Sequence, residues 1–425
     1  MTFYKETSFE ETSIGEFPKD WKTVMLGDIA LVKGGKRLPK GEKLVDFDTG
    51  FPYIRVVDFK NGTVDVSSLK YLRPETREKI RNYTISSNDV YISIAGTIGL
   101  AGLIPLELNG ANLTENAAKL CDLKEAKKEL LAYLLNSDVL KRQIIGLTGK
   151  GTQPKFALFR IESLKLPLPS LKEQERIAEV LGVVDSAIGL VDEVIAKTER
   201  LKKGLMQELL TKGIGHTEYK DTPIGKIPKT WDIVRLGDIS EVVSGFGFPL
   251  DFQGRKTGKY PFIKVGDMNS FEKYVTSANN FVEQEDIKAL KAKTFPPNTI
   301  IFPKIGMAIY LNKFRIVKAW STFDNNVAGV TLKKGEPEFL YYYFLGKVDL
   351  KRLSNRTTAP SIRKSTLESL QLPFPPLSEQ QRIADILSTI DKKIQLEKNE
   401  KTRLGRAKRG LMDLLLTGKV RVKVD

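Results

Sequence analysis

One stretch, present twice in this chain, limits its folds more than any other feature. LPLPSLKEQERIAEVL opens one copy at residues 166–181, and LPFPPLSEQQRIADIL opens the other at 372–387. Both run on without a gap, 206 residues apart, to Leu209-Leu210-Thr211 and Leu415-Leu416-Thr417. In each, a proline-rich entry precedes roughly 40 residues free of proline, with few glycines (Gly182, Gly189, Gly204; Gly405, Gly410). Apolar residues follow in alternating steps of four and three. They are Ile177, Leu181, Val184, Ile188, Val191 and Ile195 in the first copy. In the second they are Ile383, Leu387, Ile390 and Ile394, with Leu404, Leu411 and Leu415 in phase. Such spacing is the seam of a coiled coil. The reading therefore places helices at 171–212 and 377–417, each roughly 60 Å long. Ser170 with Glu173 and Ser378 with Gln381 suit capping boxes, and Gly213 and Gly418 suit the C-terminal stops. Two helices that merely brace a globular core are the plainer alternative, but core helices this long and this well matched are unusual.

The repeat extends beyond the helices. Residues 14–29 (IGEFPKDWKTVMLGDI) match 224–239 (IGKIPKTWDIVRLGDI) at ten of sixteen positions. Weaker echoes link 52–58 with 261–267, 88–96 with 298–306, and Asn116-Ala117-Ala118 with Asn326-Val327-Ala328. The chain thus reads as a tandem duplication, α+β in class: a globular part at 1–170, a helix at 171–212, a second globular part at 213–376, and a helix and tail at 377–425. The globular parts read as mainly β. Strand-forming runs at 53–59, 90–95, 299–304 and 314–319 lie between glycine, proline and asparagine turns. Short helices are expected at 126–144, 284–292 and 338–346. Trp21 and Trp231 hold equivalent places and read as core anchors. Connectivity makes the helix pair antiparallel. The second globular part starts where one helix ends and finishes where the other begins, and a domain of its size is only about 40 Å across. The N-terminal segment resembles the linker after the first helix, so residues 1–15 should lie against the end of the second helix.

The 425 residues carry a net charge of +16, which favours a polyanionic partner, nucleic acid before a membrane surface. The excess lies mainly in the globular parts, and the helices are nearly neutral. A single cysteine, Cys121, leaves no disulfide, and the lone histidine, His216, sits in a glycine-rich linker and reads as solvated. No apolar run is long enough for a membrane span and no signal peptide is evident, so a cytoplasmic protein is expected. Gly34-Gly35-Lys36-Arg37 lacks phosphate-loop spacing, and no zinc, nucleophile-elbow or dinucleotide fingerprint is present. A binding protein with no catalytic residues, metal site or cofactor of its own is the expectation.

The duplicated helix entry, the Pro-Lys-x-Trp…Leu-Gly-Asp-Ile openings (18–29 and 228–239), and the SGFGFP run at 244–249 resemble the specificity subunit of Type I restriction–modification systems. The resemblance covers essentially the whole chain. It implies two target-recognition domains joined by two helical spacers. It also implies a bipartite double-stranded DNA target with a non-specific gap, and no catalysis in this chain. Two partner modification subunits would methylate adenine from S-adenosylmethionine, and a restriction subunit would cut. Pro376 departs from the pattern, standing where Ser170 caps the first helix. Candidate DNA contacts are basic residues beside glycine-rich or polar loops: Lys33, Lys36, Arg37, Lys150, Lys155, Arg160, Lys304, Arg356, Arg363 and Lys364. The alternatives are a self-contained DNA methyltransferase, for which no cofactor fold is visible, and a coiled-coil scaffold without a DNA role.

Overall fold

The structure, a computed structural model, describes residues 2–148, 154–355 and 359–424. The chain divides into two compact units, Met1–Val191 with Glu400–Asp425, and Asp192–Asn399. Both cuts fall inside long helices, Leu171–Lys212 and Leu377–Leu416. Each unit therefore holds the beginning of one helix and the end of the other.

Within the first unit, Glu173 meets Arg421 and Asp185 meets Lys408. Within the second, Glu379 meets His216 and Asp391 meets Lys202. In each case the number on one segment falls as the other rises, which is the antiparallel course that connectivity requires. Of the seam residues, Ile177, Leu181, Ile383, Leu387 and Ile394 are buried. Val184, Ile188, Val191, Ile195, Ile390, Leu404 and Leu411 are half-buried. Two helices alone cover their seam only partly. Burial is completed where a globular layer packs over it, as Leu130, Leu134 and Leu140 do around Ile177 and Leu181.

The first unit contains an antiparallel sheet in the order Ala101–Leu103, Val90–Ser93, Ala117–Cys121, Leu31–Gly34. A second sheet contains a parallel pair, Pro52–Ile54 beside Ala111–Leu113. The other unit repeats the plan with Arg315–Val317, Ile300–Pro303, Val327–Leu332 and Ser240–Ser244, and the parallel pair Tyr260–Ile263 and Thr322–Phe323. It adds an edge strand, Tyr274–Val275, parallel to Arg315–Val317. Each unit is closed by a ribbon joining the segment after its tryptophan to the segment before a long helix. These ribbons pair Lys22–Met25 with Lys165–Leu168, and Asp232–Arg235 with Gln371–Phe374.

Three local expectations are corrected. The helix expected at 126–144 is two, Lys128–Leu135 and Asp138–Leu147. Ser137 accepts the Leu140 N–H and starts a new helix there, while the Asn136 amide turns back to the Ala132 carbonyl. The second long helix starts at Leu377, so Ser378 lies inside it and no capping box forms there. The Pro376 carbonyl takes the Glu379 and Gln380 N–H groups instead. At the first helix Ser170 does cap Glu173 N–H, but the Glu173 carboxylate is engaged elsewhere.

Phe3–Lys5 pairs antiparallel with Val420–Val422, and Lys423 N–H donates to the Thr2 carbonyl at 2.9 Å. The ends of the described chain are therefore adjacent strands of one ribbon. Joining residues 425 and 1 by a short flexible linker and reopening at exposed Gly215 should give a protein that still folds. Circular dichroism and thermal unfolding check this, and loss of cooperative unfolding would contradict it.

Candidate nucleic-acid interface

Each unit is pinned to its helices by a matched joint. Trp21 Nε1–H donates to Glu173 (3.2 Å) and Trp231 Nε1–H to Glu379 (2.9 Å). Gly418 and Gly213 end the helices with φ of +71° and +69°, beside Trp21 and Trp231 respectively. The tryptophans are buried, as expected of core anchors, but each also holds a helix-start carboxylate. The rest of the joints differs. Glu173 takes Arg421 Nε and Nη2 at 2.5 and 2.8 Å. Glu379 takes Ile214 N–H and His216 Nε2 at 2.9 and 2.8 Å. His216 is thus a structural residue and not a solvated one.

A second matched feature frames the candidate loops. Gly35 N–H donates to the Ala117 carbonyl, and Gly245 N–H to the Val327 carbonyl. A Cβ at Gly35 would lie 2.1 Å from the Thr114 carbonyl oxygen, and one at Gly245 2.1 Å from that of Phe323. Only glycine permits that approach. Just after the strands Val90–Ser93 and Ile300–Pro303 the backbone turns through Gly96 and Gly306, at φ of +75° and +78°. Here Ala95 bridges Lys155, and Ile305 bridges Ser361. Phe156 N–H bonds the Ile94 carbonyl, and Ile362 N–H that of Lys304, both at 2.9 Å. Each framework therefore brings a glycine turn, a glycine loop and the entry to a short helix, Leu158–Glu162 or Lys364–Glu368, into one place.

The side chains on this shared frame differ. In the first unit Lys33 stands opposite Lys119 in strand register. Both line a hollow of about 310 Å³ with Gly34, Gly35, Asn82 and Tyr83. The Lys36 ammonium lies 5.2 Å from the Tyr83 ring centre. Lys119 also meets Asp89 at 3.4 Å. Leu158, beside Gly34, carries the frame on to exposed Phe159 and to Arg160, whose guanidinium bonds the Leu147 carbonyl. Arg37 turns instead to Glu115, at 2.8 Å.

In the second unit Lys304 Nζ donates to Ser244 Oγ at 2.9 Å, at the turn equivalent to Gly34-Gly35. Burial pushes its ammonium pKa down. Arg363 leads into the short helix, and Lys364 pairs with Glu368 at 3.6 Å. Beyond Gly306 the turn Met307–Leu311 exposes Met307 and Leu311, with the Lys351 ammonium 5.4 Å from the Tyr310 ring centre. Lys150 and Arg356 lie outside the described residues. So Lys33 lines the hollow and Lys36 reaches the Tyr83 ring beside it, while Lys155, Arg160, Lys304 and Arg363 share the frame. Arg37 and Lys364 are drawn into ion pairs. Sequence reasoning missed Lys119, Tyr83, Lys351 and the exposed turn. No short-range pattern around Lys33 reveals Lys119, because the two face each other only through long-range strand pairing.

The Type I restriction modification DNA specificity domain model matches residues 18–200 and again 228–406. The Type I restriction enzyme MjaVIII specificity subunit of Methanocaldococcus jannaschii is 29% identical over 435 aligned residues, covering 100% of this chain and 98% of that protein. The MjaIX specificity subunit of the same organism is 25% identical, over 100% and 99%. Among solved structures, the Type I restriction-modification system S subunit from M. genitalium superposes with a TM-score of 0.57 at 16% identity, over 95% of this chain and 97% of that one. The fold is therefore shared even where sequence similarity is low. With two family-model matches that together span most of its length, and the same duplicated frame in both units, this chain belongs to the Type I restriction–modification DNA specificity family.

Proposed function

We propose that this chain is the DNA-reading subunit of a Type I restriction–modification complex, in which each unit reads one half of an asymmetric bipartite target. The observation that carries this reading is the pairing of a matched backbone frame with different side chains. Lysines gather at the hollow in one unit, and a basic-rimmed apolar turn occupies the other. Lysine and arginine side chains neutralise phosphates, while loop side chains reach base edges, so one frame with two side-chain sets suits two unlike half-sites. The named relatives support the reading, being called specificity subunits of such enzymes. In this reading the two long helices dock two modification subunits and set the gap between half-sites. A restriction subunit joins through that complex, and methyl transfer and cleavage belong to the partners. This chain needs no cofactor.

Exchange of residues 213–376 for the corresponding domain of another family member tests this. Methylated sites would be mapped by sequencing in cells carrying the modification subunits. One half of the target is expected to change while the other half stays as it was. A change in both halves, or in neither, would refute separate reading by the two units.

A further inference from the structure

Besides its tryptophan joint, each unit carries a second polar contact at its helix seam. In the first unit Lys408 Nζ meets Asp185 Oδ1 at 2.5 Å, and Tyr133 O–H donates to Asp185 Oδ2 at 2.7 Å. In the other unit Lys202 Nζ meets Asp391 Oδ1 at 2.5 Å, and Tyr342 O–H donates to Asp391 Oδ2 at 2.6 Å. Each carboxylate thus gives one oxygen to the opposite helix and the other to the globular layer. The lysine also lies over the same tyrosine ring, 5.3 Å from the centre of Tyr133 and 5.7 Å from that of Tyr342. Burial first, then the neighbouring aspartate, holds both phenols well above their ordinary pKa, so they remain donors. In the second unit the chain of contacts runs deeper. Buried Lys273 donates to Tyr342 Oη at 2.9 Å and pairs with Glu338 at 2.8 Å.

Polar residues at a seam reduce stability but specify register. The apolar seam repeats every heptad, so on its own it tolerates a slip of one heptad. Asp185 and Lys202 are 17 residues apart, as are Asp391 and Lys408, so one antiparallel register satisfies both contacts. After a heptad slip one way, the aspartates would face Leu415 and Leu209. Slipped the other way, Asp391 would face Ile195. The tyrosines add a second constraint, because each attaches the globular layer to the same carboxylate that fixes the register.

We propose that Tyr133–Asp185–Lys408 and Tyr342–Asp391–Lys202 are paired clamps that set the register of the helices and the angle at which each DNA-reading layer sits on them, which makes these six residues positioning residues for the gap between half-sites. Angle matters because one base pair turns the duplex by roughly 35°. The part concerning the gap rests on the function proposed above. The clamp itself does not.

Two measurements on the full chain test it. First, the parent, in complex with modification subunits, selects its target from a randomised duplex pool. Binding is then measured on that duplex and on versions with the gap changed by one base pair. The parent should discriminate by about tenfold or more. Tyr133→Phe and Asp185→Asn should bring discrimination to within about twofold. The inverted pair Asp185→Lys with Lys408→Asp rebuilds the ion pair but gives Tyr133 no acceptor at position 185, so it should recover stability while gap discrimination stays within about twofold. A purely structural role would lower the melting temperature and leave the gap preference unchanged, which overturns the gap assignment. Tyr133→Phe removes only one hydroxyl, so it carries the test if Asp185→Asn fails to fold. Second, in a Cys121→Ser background, spin labels at exposed Val183 and Leu106 report the angle within the first unit without DNA. The parent should give one narrow distance, and Tyr133→Phe a clearly broader distribution. An unbroadened distribution overturns the clamp. A parent that selects no two-part target defeats the functional reading instead, and the spin-label result still decides the clamp.

Discussion

Inserting one heptad after Glu193 and another after Asn399 is expected to lengthen the gap in the DNA target by about three base pairs. The two points are equivalent in the repeat, and each lies between the clamp residues of its helix, so neither clamp is disturbed. Seven residues add about 10 Å of helix and return the seam to nearly the same face, drifting by only ~20°. The duplex is less forgiving. Three extra base pairs turn the far half-site by roughly 100°, which must be absorbed by twist in the gap or by bending. Binding to the new best target should therefore be somewhat weaker than that of the parent for its own. On the parent target the variant can engage only one half-site. Each lost base contact is worth about 1–3 kcal/mol, so affinity there should fall by roughly a thousandfold towards non-specific binding. Insertion into one helix alone breaks the pairing and should reduce stability without defining a new gap. If sequencing of methylated sites shows an unchanged gap in the double insertion, the helices do not set it.

How much of this was legible in the sequence depended on the range of the interaction. The helices were legible because their signal is local and repeated: proline before, a period near 3.5 within, glycine after. The adjacency of the chain ends followed from repeat logic, since residues 1–15 resemble the linker after the first helix, and Phe3–Lys5 does pair with Val420–Val422. The break at Asn136 and Ser137 was missed because apolar residues continue in helical phase on both sides of it, and only the serine's capping bond reveals the new start. The two tryptophans are legible as anchors from their equivalent places in the repeat. Their second role, holding Glu173 and Glu379, joins residues 152 and 148 positions apart, and no short-range pattern encodes it. The basic candidates are the least legible. Lys33 shares its hollow with Lys119 through strand pairing and Lys36 reaches the Tyr83 ring, whereas Arg37, adjacent in sequence, is spent on Glu115. Adjacency in sequence could not separate these, because sheet geometry sends neighbours in different directions.

Replacing Arg421 with methionine is expected to destabilise the first unit by about 3–5 kcal/mol. Arg421 is 6% exposed and its guanidinium is fully engaged. Nε and Nη2 meet Glu173, Nη1 meets Glu6 at 2.7 Å, and Nη1 and Nη2 bracket Asp20 at 3.0 and 2.8 Å. Glu173 is 1% exposed and would keep only the Trp21 N–H, leaving a buried carboxylate without a countercharge. For a unit of this size the loss corresponds to a fall of roughly 10 °C or more in melting temperature. Glu173→Gln in the methionine background should recover part of the loss, since a neutral amide still accepts from Trp21. The equivalent change in the other unit, His216→Ala, should cost much less, because Glu379 retains the Ile214 and Trp231 N–H groups. The pH dependence should change as well. Backbone amides of Ser8 and Thr7, with Arg421, lower the Glu6 pKa, and Arg421 foremost lowers that of Asp20. Groups lowered on folding add stability above their unfolded pKa near 4, and this is lost as pH falls through the folded values. Burial pulls the Arg421 pKa down but its carboxylates outweigh it, and the net upward shift matters only at pH values far above neutrality. Removing the guanidinium should therefore flatten the acid limb, chiefly through Asp20, while the Glu6 amides keep their share. Thermal unfolding of parent and variant from pH 7 to pH 3 measures both effects. Equal melting temperatures, or parallel acid limbs, would show that Arg421 is not the centre of this joint.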